Sequence, residues 1–254
     1  MNTSLFSQFV VSLAVGIWSC LINPYELVSI AESNLAKEVD STRAFSVQPF
    51  ERIKITDAFI VNIKSGEQFT VNATGSSSDI NRLDVRTKKG LLTITYKPVA
   101  ASKKEEDVII NHEWVNITVT LPVLKEATFE KASKFNIDGF GRLGSVELFA
   151  NSLASGTATL KAERLKLNLQ SHAAVTLLGE TSYLDADLQG QSELTAGGFK
   201  TRQAMLAVNG MSKANVFVSD KLQATASGSS TIYYQGKPET TLAQNDFSQI
   251  REYR

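Results

Sequence analysis

A short motif that recurs along the second half of the chain constrains the fold more than anything else in the sequence. Leu153-Ala154-Ser155-Gly156-Thr157-Ala158-Thr159-Leu160 sets an apolar residue before a small, polar cluster and then alternates. The same order returns at 169–177, 188–194, 208–216 and 226–232. The marker residues Ser155, Ser171, Gly190, Gly210 and Ser227 lie 16, 19, 20 and 17 positions apart. Degenerate copies flank them at Lys131-Ala132-Ser133 and Asn245-Asp246-Phe247-Ser248. A unit this short cannot hold two helices. It fits one coil of a β-solenoid, which buries its apolar face only by stacking on its neighbours. Gly and Ser then mark tight corners where successive coils approach closely. Stacked Ser and Thr side chains can hydrogen-bond along the ladder. The end coils need protection from edge pairing. The charged 249–254 segment offers it at one end, and the N-terminal strands at the other.

Upstream of the repeats the chain also alternates with period two, as half-buried strands do. Arg52-Ile53-Lys54-Ile55-Thr56 and part of 60–63 alternate, and 69–72 follows a turn at Ser65-Gly66. Strands at 83–86 and 92–96 flank Lys88-Lys89-Gly90, which reads as a hairpin turn. Residues 100–107 form a polar, charged loop. The run 115–121 alternates most cleanly, and Pro122 ends it because proline cannot donate to a ladder. Almost no helical periodicity is present after Phe45. The fold class expected is therefore all-β, a parallel solenoid with an N-terminal strand region.

The first 31 residues stand apart. Residues 5–22 are apolar except for Ser7, Gln8, Ser12 and Ser19, Asn23-Pro24 breaks the run, and Glu26 is the only charge. Three readings remain open, and each exports the domain. One is a signal peptide cleaved after Ala31, although a basic start is missing. Another is lipidation at Cys20, preceded by Ile17-Trp18-Ser19. The third is an uncleaved anchor, since about 18 apolar residues nearly span a bilayer. Residues 32–44 read as a linker, with a short helix over 31–39, and 45–254 as the folded domain.

The chain is poor in reactive groups. It has one Cys and two His among 254 residues, with 26 basic and 26 acidic side chains. The single Cys excludes an intrachain disulfide and a thiolate-rich zinc site. A mature form without Cys fits an oxidising compartment. Zero net charge argues against a general nucleic-acid binder. His112 and His172 are far from any metal-ligand spacing, and a corner or surface role suits His172. Asp185 and Asp187 share one strand face about 7 Å apart, within the range glycosidases use, with Glu193 as a possible third member. A solvated charged face is the simpler reading of all three. Trp114, Tyr96, Tyr233 and Tyr234 are candidate sugar-stacking groups or core and end-capping residues. Adjacent tyrosines on a strand point to opposite faces, so at most one of Tyr233 and Tyr234 is outward. Asn72-Ala73-Thr74 and Asn116-Ile117-Thr118 match glycosylation acceptor patterns, which carry weight only where a chain meets that modification. Phosphate loops, nucleophile elbows and dinucleotide fingerprints are absent.

The Ser-Gly-Ser repeats, the 227–238 segment ending in Gly236-Lys237-Pro238, and Phe50-Glu51-Arg52-Ile53 with Phe59-Ile60-Val61-Asn62-Ile63 resemble the bacterial head-GIN-domain family. The resemblance runs from about Phe45 to Tyr253, and Gly236-Lys237-Pro238 is its most specific part. The middle copies depart from it, reading Ser171-His172 and Gly210-Met211 where that family favours Ser-Gly. The family is labelled as auto-transporter adhesins and is otherwise of unknown function. The resemblance implies an exported right-handed parallel β-helix in a bacterial envelope, and it brings no catalytic residue with it.

These features point to a non-enzymatic module of the periplasm, outer membrane or cell surface, structural or adhesive. Its ladder of Ser, Thr, Asn and Gln would meet polysaccharide or another surface component. No cofactor or metal is expected, and membrane contact is expected only through the N-terminal segment. Two rivals stay open: a β-helix polysaccharide lyase or hydrolase using Asp185 and Asp187, and a periplasmic protein-interaction module.

Overall fold

The alternating segments become strands that stack in parallel. The computed structural model describes residues 40–98 and 114–253. Cys20, the 31–39 helix, the 100–107 loop and His112 lie outside them. The elements run β1 (Asp40–Phe45), β2 (Arg52–Ile55), β3 (Ile60–Ser65), β4 (Thr70–Ser76), α1 (Ser77–Arg82), β5 (Leu83–Lys88), β6 (Leu91–Tyr96) and β7 (Asn116–Leu121). Next come β8 (Glu126–Phe129), β9 (Lys134–Asp138), β10 (Arg142–Ala150), β11 (Ser155–Leu169), β12 (Ala174–Leu188), β13 (Glu193–Val208) and β14 (Lys213–Ala226). The last are β15 (Thr231–Gln235), β16 (Glu239–Gln244) and β17 (Gln249–Glu252).

From β8 onward the chain is a β-solenoid. Each coil has an incoming leg, a tight corner, an outgoing leg and a wider bend. Strands β11 to β14 each span an outgoing leg, the bend and the next incoming leg. The outgoing legs stack in the order β7, β3, β9, the first parts of β11 to β14, β15 and β17. The incoming legs stack as β6, β2, β8, β10, the last parts of β11 to β14, and β16. The β2–β3 layer therefore lies between two layers that come later in the sequence.

The inward residues of both legs form one apolar core. On the incoming legs Ala127, Leu148, Leu167, Ala186, Leu206 and Ala224 stack in register and are buried. Leucines and alanines mix down this column, which lets side chains from successive layers interlock at interior density. Near the start of the repeats Phe129 and Phe135 stack with ring centroids 3.9 Å apart. Gly156 belongs to this packing. A Cβ there would meet the Phe135 carbonyl oxygen at 2.2 Å and its ring at 2.5 Å.

The corners explain the repeat. Lys131, Ser152, Ser171, Gly190, Gly210, Gly228 and Asp246 all have positive φ, between 56° and 80°. The residue after each corner donates its N–H to the corner carbonyl one coil below. Leu153, His172, Gln191, Met211, Ser229 and Phe247 make this bond to Lys131, Ser152, Ser171, Gly190, Gly210 and Gly228, at 2.6–3.0 Å. Two residues past the corner a small side chain points inward: Ser133, Ala154, Ala173, Ser192, Ser212 and Ser230 are all buried. Two of the sequence markers are corrected by this column. Ser155-Gly156 lies on the outgoing leg, with Ser152 three residues earlier at the corner, and Gly228 rather than Ser227 takes the left-handed turn. Ser171-His172 and Gly210-Met211 hold the same corner as the other copies despite departing from Ser-Gly.

The N-terminal end is closed by antiparallel pairing. Strand β4 pairs β7 and β1, and β5 pairs β6 across the Lys89-Gly90 hairpin, where φ is 50° and 72°. The expected linker over 32–44 is thus corrected at its end, because 40–44 lie in β1. Helix α1 lacked periodicity because it has six residues. Ser76 caps it: its Oγ accepts from the Asp79 N–H at 3.2 Å and donates to Asp79 Oδ2 at 2.9 Å.

One carboxylate joins three layers here. Asp57, in the β2–β3 corner, accepts from Thr95 Oγ1 at 2.6 Å and from the Tyr96 N–H at 2.9 Å. On its other side it pairs with Lys131. Burial pushes the Asp57 pKa up, but the bonds from Lys131, Thr95 and Tyr96, with the Lys131 charge, outweigh it and hold the pKa below the ordinary 3.8. The stabilisation is therefore present above the ordinary value and lost as pH falls through the lower folded value. Asp57→Asn is expected to cost about 1.5–3 kcal/mol near neutral pH and to flatten the acid limb of a denaturation-versus-pH curve. At the corner, a Cβ on Gly210 would meet the Gly190 carbonyl oxygen at 2.6 Å. Gly210→Val is expected to lower stability by about 1–3 kcal/mol in urea titration, while Ser171→Gly should not destabilise.

Candidate functional site

Strand alternation sends every second residue of the outgoing legs to the outside. Because the legs stack in register, those residues form a ladder. Its rungs are Asn72, Thr118, Asn62, Asn136, Thr157, Thr176, Thr195 and Asn215, followed by Tyr233 and Arg251. From Asn72 to Asn215 no rung is charged. Rungs stand about 4.8 Å apart, so Thr118 to Asn215 spans roughly 30 Å. All but Thr195 and Arg251, which are exposed, are half-buried. Around the central threonines the surface forms a shallow depression of about 350 Å³, bordered by Ser155 and Glu193.

Aromatic rings stand near both ends of the ladder. Trp114, 42% exposed, lies just before β7 with the Lys134 ammonium 5.0 Å from its ring centroid. Tyr233 is itself a rung, with Lys213 at 5.7 Å and Tyr253 edge-on at 6.5 Å. Tyr234 points the other way and packs against the core, as does Tyr96. The Tyr96 phenol is pushed up to about 12 by burial, with a further push from Asp79. Trp114 and Tyr233 are thus the two aromatic candidates that face outward.

The acidic candidates do not converge. Asp185 and Asp187 lie on the incoming leg of β12, opposite Lys166 and Met205, and Asn168 and Ala207. The side-chain amide of Gln189 donates to both Asp187 oxygens at 3.3 Å. Glu193 is on an outgoing leg between Ala174 and Lys213. That places it on the other side of the core, so it does not extend the aspartate pair. His172 is exposed beside the Ser171 corner. Among the described residues no group of three or more His, Cys, Asp or Glu is placed to hold a metal ion. Among them, too, no helix is long and apolar enough to cross a membrane.

A stack of parallel coils with a polar ladder repeated on its outer face defines the β-solenoid class. Residues 49–238 match the family model described as "Putative auto-transporter adhesin, head GIN domain", and the chain belongs to that family. Solved structures share the fold. A "putative adhesin" from Bacteroides fragilis NCTC 9343 superposes with a TM-score of 0.77 at 17% identity, over 85% of this chain and 98% of that one. A "putative lipid binding protein" from Parabacteroides distasonis ATCC 8503 gives 0.66 at 16% identity, over 86% and 98%. A "putative adhesin" from the same strain gives 0.65 at 17%, over 85% and 98%. Comparison with curated proteins gave no match.

Single rungs lie outside the core, so the ladder is separable from folding. Thr176→Val keeps the β-branched shape and removes only the hydroxyl. It is expected to change stability by less than about 0.5 kcal/mol in urea titration.

Proposed function

We propose that this protein is an exported, non-catalytic adhesive module that holds a neutral extended polysaccharide along the outgoing-leg ladder. The observation that carries this reading is the unbroken run of uncharged Asn and Thr rungs in register with the coils. Amide and hydroxyl groups both donate and accept, so each rung matches a sugar hydroxyl without a charge requirement. Trp114 and Tyr233 offer apolar ring faces to sugar rings near the two ends. Contacts repeated along a chain add, so weak rungs give useful avidity. The apolar 5–22 segment supports export, as does the family's description.

Full-length protein, titrated against a panel of neutral polysaccharides and against bacterial envelope fragments, is expected to bind at least one. In the triple variant Thr157→Val, Thr176→Val, Thr195→Val, binding should fall about tenfold or more, since each lost hydrogen bond contributes about 0.5–1.5 kcal/mol. A wild-type protein that binds none of the panel, or a triple variant that binds as wild type does, would overturn the reading.

A further inference from the structure

The wide bends carry a second surface of opposite character. There Arg142, Lys161, Glu180 and Lys200 follow one another in register on β10 to β13. With Arg202 they line a groove of about 350 Å³, floored by the buried Thr181 and Thr201. The groove walls thus hold four cations and one carboxylate, although the whole chain carries no net charge.

The cations are unequally neutralised. Lys161 Nζ lies 3.8 Å from Glu180, and Arg202 Nε lies 3.0 Å from Asp220. The Asp220 carboxyl is held below its usual range by hydrogen bonds from Ser219 and Arg202. Among the described residues Arg142 and Lys200 form no ion pair. They sit three layers apart, about 14 Å along the stack. One small anion cannot touch both.

We infer that this bend groove is a binding site for an acidic polysaccharide, separate from the neutral ladder. The spread of unpaired cations calls for a ligand with several negative charges along an extended chain. Uronate or sulfate groups on a glycan supply that, and the hydroxyls between them suit the polar rim. Single-stranded nucleic acid needs stacking platforms, and the groove offers only the half-buried Phe217.

The test uses the full chain with polygalacturonate as probe, measured by calorimetry at low and high salt. Neutral dextran, inorganic sulfate and a single-stranded oligonucleotide are titrated in parallel. Polygalacturonate is expected to bind and to weaken with salt, because exposed charges are screened. Arg142→Gln with Lys200→Gln should weaken it about tenfold, and an unchanged melting temperature shows that the variant is folded. The triple ladder variant should keep polygalacturonate binding, which separates failure of this site from failure of the ladder. The inference is overturned if wild type ignores polygalacturonate, or if the double variant binds it as wild type does. It is equally overturned if the oligonucleotide or free sulfate binds as tightly as polygalacturonate, or if the ladder variant abolishes binding.

Discussion

Everything in this molecule depends on the hydrogen bonds that join the backbone of one coil to the next. A parallel ladder offers each strand evenly spaced partners above and below, so each coil must repeat the path of its neighbour. The corner is where this demand is most severe. There a left-handed residue presents its carbonyl to the amide of the next coil, as Gly190 does to Met211 and Gly210 to Ser229. The backbone tolerates Lys131, Ser152, Ser171 and Asp246 at that conformation. At Gly210 a side chain would also strike the coil beneath. Chemical identity at the corner is therefore loose in some coils and strict in others.

The same rigidity organises the outer surface. Once the legs are in register, whatever stands at one outward position stands above its counterpart in the next coil. A solenoid thus turns sequence choices about 19 residues apart into a straight line of side chains. The outer columns differ in kind on this chain: a neutral Asn and Thr line on the outgoing legs, two neighbouring mixed lines bearing Asp185 and Asp187 on the incoming legs, and a mainly cationic line at the bends. Core composition makes this possible, because Ala and Leu can trade places down a column while the outer positions vary independently.

Much of this was legible in the sequence, and the misses have physical causes. The β-solenoid followed from the repeat, and the Lys89-Gly90 hairpin and the strand ending at Pro122 from local chemistry. The corner residue was placed up to three positions off, because Ser and Gly also occur for packing reasons. Gly156 is small because Phe135 fills its space, and Ser155 only neighbours it. The ladder's composition was visible as repeated Thr and Asn, but its continuity was not. Register shifts within β13, where Gly197 and Gly198 add residues, hide from the sequence which threonine meets which asparagine. Strand alternation limited Tyr233 and Tyr234 to one outward ring but could not say which. The layering of β2–β3 between later strands had no local signal at all.

That layering bears on the order in which the chain can assemble. From β10 onward each coil needs only the one before it, so growth can proceed in sequence order. The β2–β3 coil is different, because its two ladders are completed by β6–β7 on one side and β8–β9 on the other. Strand β2 is synthesised early yet finds its last partner only when Phe129 is in place, and β3 only when Asp138 is. The strands between residues 40 and 138 therefore complete their ladders only through non-local pairing, the kind of contact that slows folding, whereas the later coils add by pairing with the coil just before them.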